Sequence, residues 1–295
     1  MTYSIVARDA ETGQLGVAVQ TCWFGVGGVV PWAEAGVGAV ATQSFTEVSY
    51  GPKGLDLMRS RRDAPAALAE LLSGDGDAAV RQVGMVDATG RTASRTGERC
   101  VAAAGHVAGE GVTAQANMME RDTVWPAMLD AFLAAIGDLA DRLLVALRAA
   151  DREGGDIRGR QSAALLIVPA SGPAWTRAFD IRVEDHRAPL DELERLLRLA
   201  RAYRANDRSG DLATEGRMDE AVRLQEEASS LAPDDPQLAF WHGITLLGAG
   251  RMEDARPFFE QARQANPRYA EYLRRLGAAG VFPNVPEIFD AVLPV

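Results

Sequence analysis

The chain has 295 residues, 47% of them hydrophobic and 24% charged, with a formal net charge of −10. That balance is ordinary for globular protein and excludes disorder and fibre, while the acidic surplus opposes a nucleic-acid role. The length suits about two domains, each able to bury its own core. From the amino end, Tyr3, Ile5 and Ala7 alternate with Ser4, Val6 and Arg8, and Asp9 to Gly13 carries turn chemistry. Residues 15–21 are the return strand. A second hairpin is expected over 28–33 and 37–43 around Glu34-Ala35-Gly36. Its strands are rich in Val and Ala on both faces, as in a sheet covered on both sides. Their small residues mean that something packs close.

Helical periodicity begins at Gly51 with Leu55 and Met58. It resumes after Asp63 and Pro65 with Ala67, Leu68, Leu71 and Leu72. Strands return at 82–87 and 91–96 around the turn Asp87-Ala-Thr-Gly90. A shorter extended piece, 112–115, leads to Asn117. Residues 123–150 read as two helices, and after Gly154-Gly155 come strands at 162–168 and 178–183. This order predicts two sheets between helical layers, an αββα sandwich over residues 1–187.

From Pro189 onward the pattern is helical and repeats. Gly216-Arg-Met-Asp-Glu-Ala221 recurs as Gly250-Arg-Met-Glu-Asp-Ala255, and the same 34-residue offset links Ala228 with Ala262 and Pro233 with Pro267. It also links Ser209, Gly243 and Gly277. Small residues let paired helices approach, and proline cannot continue a helix. The period is that of tetratricopeptide repeats, so residues 188–295 are expected to form two repeats and a capping helix.

Several chemistries are disfavoured. Cys22 and Cys100 make no CxxC pair, and His106, His186 and His242 stand far apart, so no metal site is expected. Gly25-Val-Gly27-Gly28 leads into an extended segment, and Gly51-Pro-Lys53-Gly54 lacks phosphate-loop spacing, so no nucleotide cofactor is expected. No apolar run approaches the roughly 18–20 residues of a membrane span. With no basic, apolar leader, the expected compartment is the cytoplasm. Thr2 remains. Removal of Met1 would leave a hydroxyl and an α-amine on one residue. The amine's ordinary pKa is about 7.7–8.0, so the pair can act as nucleophile and base.

The runs Tyr3-Ser-Ile-Val-Ala-Arg-Asp9, Val29 to Gln43 and Tyr50-Gly-Pro-Lys-Gly-Leu55 resemble the DUF1028 family. So do Ala104-Gly-His106 with Gly109-Glu-Gly111, and Gly154-Gly-Asp-Ile-Arg-Gly-Arg-Gln-Ser-Ala163. The resemblance covers residues 2–187. It implies the fold of the N-terminal-nucleophile hydrolases, with which that family is grouped, and it conveys a fold better than an activity. Carried over residue by residue, it puts Thr2 at the nucleophile position. Asp156, Arg158, Gln161 and Ser162 become candidates for orienting a substrate carboxylate or the α-amine, and Asn117 for donating to an oxyanion. Each of these side chains also has an ordinary structural role open to it. The sequence departs from the family at Cys22, where Lys or His often follows the second strand, and at Ala116, where Gly often precedes the Asn. Gln20 and Glu34 are further polar candidates.

The expectation is therefore an amidohydrolase acting on a small amide or peptide-like C–N bond. The alternative is a non-catalytic scaffold whose helical tail binds a partner protein. Homo-oligomerisation is left open.

Overall fold

The computed structural model describes residues 2–280. The chain divides into two compact units, the first ending at Glu194 and the second beginning at Arg195. The expected boundary at 187/188 lies a few residues earlier, and part of the expected tail, 281–295, lies outside the described residues.

The first unit contains ten strands: β1 (Thr2–Arg8), β2 (Leu15–Thr21), β3 (Pro31–Glu34), β4 (Gly38–Ser44), β5 (Arg81–Asp87), β6 (Thr92–Thr96), β7 (Gly105–Gly109), β8 (Val112–Asn117), β9 (Ser162–Val168) and β10 (Phe179–Val183). They form a six-stranded sheet, β10-β9-β2-β1-β8-β7, and a four-stranded sheet, β3-β4-β5-β6. All the pairings are antiparallel. Helices α1 (Tyr50–Arg59) and α2 (Ala64–Ser73) cover the outer face of the smaller sheet, and α3 (Val124–Ala134) and α4 (Leu139–Arg152) cover that of the larger. The result is four layers.

Strand alternation decides what lies between the sheets. Val6, Val17, Val19 and Leu166 of the larger sheet meet Ala39, Ala41 and Val86 of the smaller one in a fully buried cluster. Val40, Val83 and Met85 point the other way, onto α1 and α2. The small residues noted in β4 are thus the inward ones, and they let the two sheets approach. Local chemistry sets the helix starts. The Asp63 carboxylate accepts the Ala66 N–H at the head of α2, where Pro65, having no N–H, needs no acceptor, and Asp138 accepts from Asp141 N at the head of α4.

Two elements differ from the sequence expectation. Residues 105–109 form an edge strand that Gly-His-Val-Ala-Gly does not announce, because its identity depends on pairing with β8. The strand expected at 28–33 is shorter, since Val26–Gly28 is a 3-10 turn entered through Gly25 at φ 68°.

The second unit is helical. Its elements are α5 (Pro189–Thr214), which runs across the division, α6 (Met218–Leu231), α7 (Pro236–Gly248), α8 (Met252–Ala265) and α9 (Tyr269–Ala278). The repeat has a physical basis at several matched positions. Gly216 and Gly250 occupy left-handed backbone, φ 78° and 72°, just before α6 and α8. Ala221, Ala228, Ala255 and Ala262 are fully buried. A Cβ on Gly243 would lie 2.7 Å from the Phe259 ring, and the Ser209 hydroxyl donates to the Ala221 carbonyl at 2.8 Å. Phe240 is the aromatic centre, with ring centroids of Trp241, Phe259, Tyr269 and Tyr272 at 5.0–5.7 Å. Trp241 itself is only partly buried, because the helix turns Phe240 inward in its place.

Two outcomes are expected for this unit. Ala255→Arg places a long cation where no volume exists. It should cost the helical unit about 3 kcal/mol or more and leave the first unit folded, as circular dichroism melts of the variant would show. His242 is buried, takes a hydrogen bond at Nδ1 from or to Ser229 Oγ at 2.7 Å, and stacks on Phe258. Burial lowers its pKa to about 4. The folded ring is therefore neutral where an unfolded one, near about 6.5, is already charged. Above that value both states are neutral and stability is full; it falls as pH drops from about 6.5 to about 4, by about 3 kcal/mol at most. His242→Phe should flatten this decline in a pH series of denaturant melts.

Candidate functional site

Register in the larger sheet builds a polar row at one end. Thr2 pairs with Thr21 on one side and Asn117 on the other, and Thr21 pairs with Ser162. Antiparallel partners share a face, so these four side chains lie across β9, β2, β1 and β8 on the face turned to the smaller sheet. Thr2 heads an inner strand, 6% exposed, and its Oγ1 donates to Thr21 Oγ1 at 3.1 Å.

Beneath this row lies a buried amide network that sequence reasoning missed. Gln82 Nε2 faces three acceptors: Ala116 O at 2.8 Å, Thr96 Oγ1 at 2.9 Å and Gly105 O at 3.1 Å. A backbone carbonyl can only accept, so the orientation of Gln82 is fixed. Its Oε1 must then accept, and it does so from Gln43 Nε2 and Asn117 Nδ2, both at 2.8 Å. Gln43 Nε2 also reaches Thr2 O at 3.1 Å, and Asn117 Nδ2 reaches the same oxygen at 3.4 Å. Gln115 Nε2 donates to Ser4 Oγ, and Ser4 Oγ to Gln43 Oε1, both at 2.6 Å. Two side-chain amides from different sheets therefore hold the carbonyl of Thr2. The sequence signal was present but faint: Thr2 and Ser4, like Gln115 and Asn117, sit two apart and so share a face of their strands.

Asn117 was expected to donate to an oxyanion. Both of its donors are engaged, and its Oδ1 is buried with no partner among the described residues. That atom can only accept. The residues that follow the two Thr2-holding amides, Ser44 at φ 74° and Met118 at φ 57°, are non-glycine residues in left-handed backbone. For a side chain as large as Met this costs of order 1–3 kcal/mol and persists only where the surroundings impose it.

The loop before β9 supplies the other sequence candidates. The Asp156 carboxylate is buried. It accepts from Cys22 N and Arg158 N, both at 2.9 Å, and from the Arg158 guanidinium at 3.3–3.4 Å. It ties the loop to the chain just past Thr21. Gln161 N donates to Thr21 O at 3.0 Å, while its side chain goes to Asp185 at 3.3 Å. Ser162 Oγ is held between Trp23 O at 2.5 Å and Val26 N at 3.2 Å. Thr2, Asn117 and Ser162 thus share the row, Asp156 and Arg158 brace it, and the Gln161 side chain turns elsewhere. Gln20 pairs with Tyr3 and therefore faces the helices, on the wrong side of the pleat. Glu34 is held by Arg59. Trp23, Phe24, Phe45 and Ile157 stand exposed on loops leaving this end. Among the described residues no group of acidic, His or Cys side chains is placed to hold a metal, and no helix is long and apolar enough to cross a membrane.

Comparison with known proteins agrees with this architecture. The model of DUF1028, a family of unknown function, matches residues 2–193, and a tetratricopeptide-repeat model matches residues 212–279. The crystal structure of a DUF1028 protein from Silicibacter pomeroyi is similar to this chain at 32% identity and a TM-score of 0.62, covering 66% of this chain and 84% of that one. No curated protein matches. With its sandwich matched end to end and a solved relative of the same description, the chain belongs to the DUF1028 family and carries a tetratricopeptide-like tail.

Proposed function

We propose that the first unit is an N-terminal-nucleophile hydrolase of amide C–N bonds, with residues 1–187 as the catalytic domain and Thr2 as nucleophile. The observation that carries this reading is the placement of Thr2. Its hydroxyl lies on the inter-sheet face of an inner strand, and amides from both sheets fix its carbonyl. With Met1 removed, the α-amine takes the Thr2 hydroxyl proton as Oγ1 attacks the substrate carbonyl, and it returns that proton to the departing amine. Water then hydrolyses the resulting ester by the same base. Asn117 Oδ1, the unpartnered acceptor beside Thr2, suits the α-ammonium that forms in each half-reaction. Asp156 holds Arg158 at the rim for a substrate carboxylate. The exposed Trp23, Phe24, Phe45 and Ile157 favour an amide with an apolar flank. The fate of Met1 lies outside the described residues, so the first test is the intact mass of purified protein, followed by a panel of small amides and ureides. A chain that keeps Met1 under all conditions and still hydrolyses a panel member would sink the mechanism.

A second reading rests on the tetratricopeptide match at 212–279. Such tails take extended peptides, and in that case residues 188–295 recruit a protein partner. The cytoplasm is the compartment proposed for either role.

A further inference from the structure

β1 ends in a different setting from the one in which it starts. Six residues on from Thr2, roughly 20 Å along the strand, Arg8 lines a cleft of about 1180 Å³. Arg59, Arg61, Arg62 and Arg91 line it too, a concentration of cations in a chain of net charge −10. Three of these five are neutralised: Arg59 by Glu34 and Asp56, Arg62 by Glu70 at 2.7 Å, and Arg91 by Asp63 at 2.6 Å. Arg8 and Arg61 form no ion pair among the described residues. Arg8 Nε is moreover shielded from solvent with no hydrogen-bond partner.

The carboxylates on the cleft wall cannot turn to Arg8. Asp87 Oδ1 accepts from Thr89 N, Thr89 Oγ1 and Arg91 N, and its Oδ2 from Ala64 N. Asp63 caps α2 and holds Arg91. Asp9, the neighbour of Arg8, is bound by its own turn through Thr12 and by Arg142. Only Glu110 remains, exposed at the edge, and it makes no ion pair with Arg8 either. The mouth carries backbone strain, since Arg61 stands at φ 75° between α1 and α2. Val37, Met58 and Leu133 supply apolar surface beside the cations.

A half-buried guanidinium with a shielded, unmatched donor is costly unless an acceptor completes it. We propose that this cleft binds a small, doubly charged organic oxyanion with an apolar body, its anionic head on Arg8 and its outer edge on Arg61. The site is separate from Thr2 and independent of any reaction there. A phosphate ester and a dicarboxylate share this chemistry. Calorimetric titration of the full chain with phenyl phosphate and with phthalate, at matched ionic strength and with benzyl alcohol as the neutral control, distinguishes them. Saturable one-to-one binding of at least one dianion is expected, with none of the alcohol. Arg8→Gln should weaken it about tenfold or more, as expected for loss of a charge-assisted hydrogen bond. Arg61→Gln should weaken it less, and Glu110→Gln should tighten it. Those two surface variants carry the test if Arg8→Gln lowers the melting temperature. Failure of both dianions to saturate, or affinities unmoved by all three substitutions, overturns the assignment.

Discussion

Gly84→Ala is expected to destabilise the first unit by about 3 kcal/mol, lowering its melting temperature by roughly 10 °C. Gly84 sits on the inward face of β5, and a Cβ there would lie 2.2 Å from Gln115 Oε1. The clash is not with the free end of an exposed side chain. Gln115 is fully buried and held by Ser4 at 2.6 Å and Thr113 at 3.2 Å, so it cannot step aside without breaking both bonds. Overpacking and an unsatisfied buried amide then act together. Gly28→Ala is the matched control, because nothing lies within 4 Å of its added methyl. Differential melts that show Gly84→Ala as stable as Gly28→Ala would mean the sheets do not meet through this network.

Turnover should respond to Thr2 more strongly than to any other residue. Thr2→Ala removes the attacking oxygen and should abolish hydrolysis of whichever panel amide proves to be a substrate. Thr2→Ser keeps a hydroxyl and should retain part of the rate. A chain with one extra residue ahead of Thr2 keeps every side chain yet loses the free amine, and it should be as inactive as Thr2→Ala. That pairing separates base from nucleophile, which no side-chain substitution can do. Initial rates at saturating substrate on the four proteins, each with its N-terminus checked by mass, are the measurement. A blocked chain running at the rate of the processed one would move the chemistry away from the amine.

Much of this fold was legible in the sequence because its elements announce themselves locally. Alternation around Asp9 to Gly13 and the turn at Asp87 to Gly90 marks hairpins whose partners are close along the chain. The tail repeats were readable because Gly216 and Gly250 answer to a left-handed turn, and Ala221 and Ala255 to close helix contact. β7 was not readable, since an edge strand of Gly, His, Val and Ala exists only through pairing with β8. The site was half legible. Thr2, Asn117 and Ser162 were singled out, and the register places them in one row. The glutamines of the network were not, because Gln43 and Gln82 come from the other sheet, the first reaching Thr2 and the second Asn117 across the inter-sheet space. Gln20 stands apart from them: one step along β2 puts its side chain on the opposite face. The hydrogen bonding of Asn117 was not legible either. Which of its atoms is free depends on Gln82, and Gln82 is oriented by carbonyls of residues 105 and 116.

The most direct test of Thr2 as an amine-activated nucleophile is covalent capture. Processed protein and the chain extended by one residue are treated with an acylating electrophile that reacts with N-terminal threonine, then digested and mapped by mass spectrometry. A single acyl adduct on Thr2 of the processed chain is expected, absent from the extended chain and from Thr2→Ala. Equal labelling of the processed and extended chains, or an adduct on Ser162 or Cys22 with Thr2 untouched, would contradict it.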